Sequence, residues 1–204
     1  MVSQSLAQAW IARLEAVVGP DPCSGLDPGD FVDEQGHRRR IDRPLIAWLT
    51  HGEAGPPGGA GIDLALWHAL ASGQPAACEF PPTGPLQDAR APSRGEVAIE
   101  VWTERELAAI QALWTLGVTL QDRKALDRAE QAARWCVAEL QPDNATAHPW
   151  GVNAFVALSA EGDFEADLYA QTLVHNAQVG RGRPGRFATL VLLASLRSLQ
   201  QAWR

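Results

Sequence analysis

The chain is predicted to be all-α: seven or eight helices in antiparallel αα-hairpins, within a single domain spanning residues 1–204. Three observations carry that prediction. Apolar residues return every three or four positions through most of the second half. Amphipathic helices there alternate with helices apolar on nearly every side, as hairpins with one member inside and one outside require. The connections at 121–122 and 161–163 are short enough to force antiparallel neighbours. Residues 1–95 form a loop-rich half and residues 96–204 a regular one.

Residues 3–18 repeat Leu6, Trp10, Leu14 and Val17 at helical spacing. Residues 19–40 are rich in Gly, Pro and Asp and end in His37-Arg38-Arg39-Arg40, a loop whose basic run is flanked by Asp33, Glu34 and Asp42. Pro44 suits a first helical turn, so a short helix follows over 45–49. The stretch 51–61, HGEAGPPGGAG, can be neither helix nor strand. Residues 62–71 read as a helix with Leu66, Trp67 and Leu70 apolar. A second long connection, 73–95, holds five prolines. It leads into an extended piece over 96–101, where Val97, Ile99 and Val101 alternate.

Thr103 and Glu106 match a capping box, with Trp102 and Leu107 as its hydrophobic staple. The helix they would open buries Leu107, Ile110, Leu113, Trp114 and Gly117. Asp122 begins the next, with Leu126, Ala129, Ala133, Cys136, Val137 and Leu140 on one face. Three more are expected, from Pro149 to about 158, from Phe164 to about 179, and over 187–203. The second of these has His175 and Asn176 on its buried arc beside Phe164, Leu168 and Val179, with Asn153 as a hydrogen-bond partner.

Composition narrows the function classes. At 204 residues the chain can bury a sizeable core without metal or disulfide staples. A net charge of −7 argues against a nucleic-acid surface. No run approaches the roughly 18 apolar residues of a membrane span, and the N-terminus reads as an amphipathic helix, so a cytoplasmic location is expected. Cys23, Cys78 and Cys136 are odd in number and widely spaced, which favours no metal site. Cys136 is expected in the core, and a Cys23–Cys78 bridge stays open. No hydrolase, metalloprotease or dinucleotide motif occurs, and no cofactor is implied.

The inside–outside hairpin order, Trp102 and the run Asn144-Ala-Thr-Ala-His-Pro-Trp150 resemble the α/α-toroid architecture of six-hairpin glycosidases, sugar epimerases and terpenoid-cyclase-like proteins. The resemblance covers roughly residues 100–203 and implies a partial ring or helical layer. It carries no catalytic residue over, because no family motif matches position by position.

If successive helices alternate in direction, the loops 141–148 and 180–186 share one end with 100–103. That mouth gathers a candidate ligand-binding set: Glu104, Asp143, Asn144, His148, Trp150, Arg181 and Arg183. Each has a structural alternative. His148 can sit at a helix start under the 143–146 loop, and Asp143 and Asn144 commonly cap helices or stabilise Asx-turns. Trp150 can fill the core. The arginines of the 181–186 turn form an anion clamp or neutralise Asp143, Glu100 or Glu104. Glu104 and Glu106 lie two apart and point to different faces, so they make no ready acid/base pair. Two classes of function remain: a non-catalytic module for a protein partner or self-association, or a protein that binds a carbohydrate or small anion at the mouth.

Overall fold

The computed structural model describes residues 2–23, 43–51, 61–76, 78–142, 147–179 and 182–204. Its described residues form eight α-helices and no strand: α1 (Val2–Val18), α2 (Arg43–His51), α3 (Ile62–Ser72), α4 (Ile99–Leu120), α5 (Arg123–Glu139), α6 (Val152–Ala160), α7 (Phe164–Asn176) and α8 (Arg186–Ala202). The all-α class read from the sequence is the class observed. No helix among the described residues is long and apolar enough to cross a membrane.

Local signals explain most boundaries. Gly73 adopts a left-handed φ of 64° and ends α3 by donating to carbonyls of its last turn. The Asp122 carboxylate accepts from the backbone of Lys124 and Ala125 and opens α5. Asp163 accepts from Ala166 N–H and opens α7.

Three expectations are corrected. Residues 99–101 are the first turn of α4, with Ala98 as its N-cap, and no strand forms there. Thr103 and Glu106 therefore lie inside a helix and cap nothing in it. The helix begins early because its first turn is anchored by tertiary contact: Trp102 is buried, and its indole donates to Asp88 O at 2.9 Å. Next, α6 starts at Val152 instead of Pro149. Gly151 precedes it with φ 82°, and a Cβ there would lie 3.2 Å from the Phe155 ring, so a side chain would be both strained and crowded. Finally, α7 is turned the other way. Its buried face is Ala166, Tyr169, Ala170, Leu173 and Val174, while Phe164, Leu168, His175 and Val179 are exposed.

Helices α4, α6 and α8 touch one another and form the centre. All of α6 is buried, which matches the expectation of an enclosed helix there, and every residue of α4 from Val101 to Gly117 except Arg105 is buried as well. The flanking helices cover this trio: α5 packs on α4 and α6, α7 on α6 and α5, α1 on α6 and α8, α2 on α8, and α3 on α4. Close approach of α4 and α5 is set by Gly117, where a Cβ would fall 2.8 Å from Leu126.

Buried polar groups set the register of the trio. The Gln111 side chain accepts from Gly151 N–H and donates to Val191 O. The Asn153 amide donates to the Thr115 and Ser198 hydroxyls at 3.1 Å each. Asn153 thus links α4 to α8, correcting the expected partnership with His175 and Asn176. In the low dielectric of a core such bonds are costly to leave unmade, so they select one helix register over its neighbours.

Candidate functional site

The trio's register brings one set of polar and aromatic side chains to a common end. Glu104, one turn into α4, is 2% exposed. Its Oε1 lies 2.7 Å from His148 Nδ1 and accepts from the Trp150 indole N–H at 3.3 Å. Both partners belong to the segment just before α6, where residues 149–151 replace a helical turn. Phe187, at the start of α8, stands edge-on to the His148 ring at 4.7 Å and to Trp150 at 5.8 Å. Trp67 of α3 closes the cluster at 5.8 Å from Trp150.

The chemistry follows from the geometry. A carboxylate facing Nδ1 favours the tautomer with its proton on that nitrogen and orients the ring. Trp150 contributes a buried donor, and the aromatic rings supply apolar walls. The cluster can position an imidazole, and Glu106 takes no part in it, because it faces the other side of α4, as its spacing predicted.

Of the candidate set, Glu104, His148 and Trp150 come together. Arg183 does not join them; it is exposed and makes no ion pair among the described residues, and the same holds for Arg186. Asp143, Asn144 and Arg181 lie outside the described residues, as does the basic run 37–40. Trp67, Phe187 and Gln111 are contributors that sequence reasoning missed. Phe187 carried a usable signal as the first apolar residue after the 181–186 turn. Gln111 carried none, since one amide on a helix otherwise rich in apolar residues does not reveal its partner.

Glu106 occupies the opposite wall. Its carboxylate accepts from Leu86 N–H at 2.6 Å and from Gln87 N–H at 3.0 Å, and the Gln87 side chain adds a third bond. Burial pushes its carboxyl above the usual range, while these donors and the nearby Arg128 charge pull it back. Arg128 in turn donates to Pro81 O and Pro85 O. The long connection of residues 78–98 is thereby strapped to α4 and α5, a structural role.

All three cysteines are free thiols, so Cys23 and Cys78 are not bridged. Cys136 is fully enclosed on α5, as expected, and burial raises its thiol well above the ordinary range, which keeps it protonated and inert. Among the described residues, no group of three or more His, Cys, Asp or Glu could hold a metal ion.

Fold and site together define an all-α bundle with an acid–imidazole–indole cluster at one end. Comparison with family models, curated proteins and solved structures finds no match for this chain.

Proposed function

We propose that the protein is a non-catalytic interaction module that associates with a second copy of itself through the outer face of α7. One observation carries the reading: Phe164, Leu168 and Val179 are 70%, 47% and 64% exposed on one side of the molecule's periphery. At about 100° per residue, Phe164, Leu168 and His175 fall within a ~40° arc roughly opposite Leu173 and Ala177. Helix α7 is apolar on two opposed faces, of which the fold uses one. Phe164 and Leu168 near one end and Val179 just past the other, with Gln171, Thr172 and His175 between them, leave an interrupted apolar stripe open to a partner.

The stripe is self-complementary. An antiparallel pair of α7 helices centred between Gln171 and Thr172 sets Phe164 against Val179 of the second copy and Leu168 against His175. Charge follows the same two-fold. Glu165 stands in the first turn of α7, whereas Glu161 before it is already paired with Arg134 at 2.7 Å; the exposed Arg183 and Arg186 follow α7 in sequence. Antiparallel pairing therefore brings acid to base and opposes the helix dipoles. A contact built on one helix per copy is small, which places the dimer in the weak, concentration-dependent class.

Sedimentation velocity over a concentration series tests this. The wild-type protein should shift toward dimer as concentration rises, and Phe164→Glu should stay monomeric with an unchanged melting temperature. A wild-type chain that remains monomeric to its highest soluble concentration excludes self-pairing.

A second reading, a small polar ligand at the helix mouth, is favoured by the Glu104–His148–Trp150 cluster. Because a buried carboxylate repels anions, a hydroxyl-rich ligand such as a sugar suits this end better than a small anion. His148→Ala should then abolish chemical-shift changes on titration with monosaccharides while the fold persists. No saturable change in the wild-type protein removes this reading.

A further inference from the structure

Toward the other end of α4, the bundle leaves a cavity of about 210 Å³ between α2, α3, α4 and α8. On α8 its lining is Ala194, Arg197, Ser198 and Gln201, which repeat at helical spacing on one face. Trp48 and Trp67 supply apolar walls, and the Thr115 and Ser198 hydroxyls line its polar side. Those hydroxyls give their protons to Gln111 O and Ser195 O and accept from the Asn153 amide, so they are already satisfied and leave Arg197 as the group that meets a ligand's charge. Trp67 is almost wholly buried, and its indole N–H has no hydrogen-bond partner among the described residues.

Charge makes the cavity selective. Arg197 is its one charged lining residue, in a chain whose net charge is −7. Two guanidinium nitrogens donate to Leu49 O and Thr50 O at 3.2 and 3.0 Å, which pins the group at the end of α2. Two of its five N–H groups are so engaged, and because Arg197 sits exposed at the cavity's edge, the others are open to water or to a ligand's carboxylate. The ordering entropy of a long side chain has been lost on folding, before any ligand arrives. Volume limits the occupant. A dry cavity of about 150 Å³ holds benzene, whereas pockets for larger ligands begin near 300 Å³. The space therefore suits one ring with a short polar arm.

We propose that this cavity binds a small carboxylic acid with a single-ring or short branched apolar body, its carboxylate held by Arg197 and its body seated between Trp48 and Trp67. The site shares the Trp67 ring with the Glu104 cluster but none of that cluster's polar groups, and its test is independent of that cluster and of the α7 face. The mixed-charge depression along α5, between Lys124 and Arg134, is the other concavity of note; it is built on one helix and carries acids beside its bases, so it selects no charge.

Phenylacetate serves as the probe, with phenylacetamide as a neutral analogue of nearly the same shape. Calorimetric or ligand-observed NMR titration of the wild-type protein should give saturable phenylacetate binding with a Kd on the order of 1 mM or tighter. Phenylacetamide should bind about tenfold more weakly, because it lacks the charge that the guanidinium meets. Ala194→Leu should fill the cavity and abolish phenylacetate binding with little change in melting temperature. Arg197→Gln should reduce phenylacetate to the level of the amide. Equal binding of acid and amide to the wild-type protein overturns the proposal, as does the absence of saturable binding, or binding that survives Ala194→Leu. The wild-type comparison decides the matter even if Arg197→Gln fails to fold, since Arg197 also holds the end of α2.

Discussion

Glu104 and Glu106 stand two residues apart on α4, and both are buried, yet the regions they serve differ in kind. Glu104 faces the mouth and meets side chains: an imidazole and an indole carried by the unwound segment before α6. Glu106 faces the opposite wall and meets backbone: the amides of Leu86 and Gln87 in a long connection with no regular structure. A side chain that loses its partner can turn toward water. A backbone amide moves only if the chain around it moves. Buried acids on one helix thus divide into one suited to a site and one suited to a strap.

Removing each in turn is the way to break that division. Glu106→Ala strands two backbone donors and leaves Arg128 without its nearby countercharge, so it should cost about 3 kcal/mol in urea unfolding. Its pH dependence carries a definite sign. The folded carboxyl lies above the unfolded value of 4.5, so the native state holds that proton more tightly. Stability from this group is accordingly greatest at low pH, declines as pH rises from 4.5 through the raised folded value, and is level beyond it. Glu106→Gln should erase that decline. Should the decline persist in the variant, another group is responsible.

A smaller effect is expected on the other side. Glu104→Ala should cost about 1 kcal/mol, since His148 retains some access to water and only the Trp150 donor is left enclosed. Equal losses for Glu104→Ala and Glu106→Ala would make the mouth as structural as the strap. The smallest change sharpens the comparison from between the two acids. The Thr103 hydroxyl is buried without a hydrogen-bond partner among the described residues. Thr103→Val should therefore shift stability by less than about 0.5 kcal/mol, in the stabilising direction if at all. A clear loss would mean that the hydroxyl is satisfied by some group that the static structure does not reveal.

How far the chain was legible varies by element. Helix α5 read cleanly because Asp122 caps it and its small apolar residues occupy one arc. Helix α7 did not, since Phe164 and Leu168 on one face compete with Leu173 and Val174 on the other. Periodicity detects an apolar arc and cannot rank two of them. The start of α4 misled for a related reason: Thr103 and Glu106 have capping-box spacing, but Trp102 and Val101 are buried against other elements, and that contact extends the helix past the motif. Pro149 favours a first helical turn, whereas Gly151 with a positive φ sets the true start three residues on. At the mouth, helix direction gathered Glu104, His148 and Trp150 without saying which would bond to which, while Arg183 remained in solvent.

From its residues alone the chain specified helices and their alternation of enclosed and solvated members. Those depend on periodicity, caps and loop length, all of them properties of short stretches. Tertiary structure decided which face of α7 was covered, where α4 began, and which polar groups met inside, namely Gln111 with Gly151, Asn153 with Ser198, and Glu104 with His148. Such choices turn on the burial of one surface against another and on satisfying every enclosed donor at once, which no local stretch of sequence encodes.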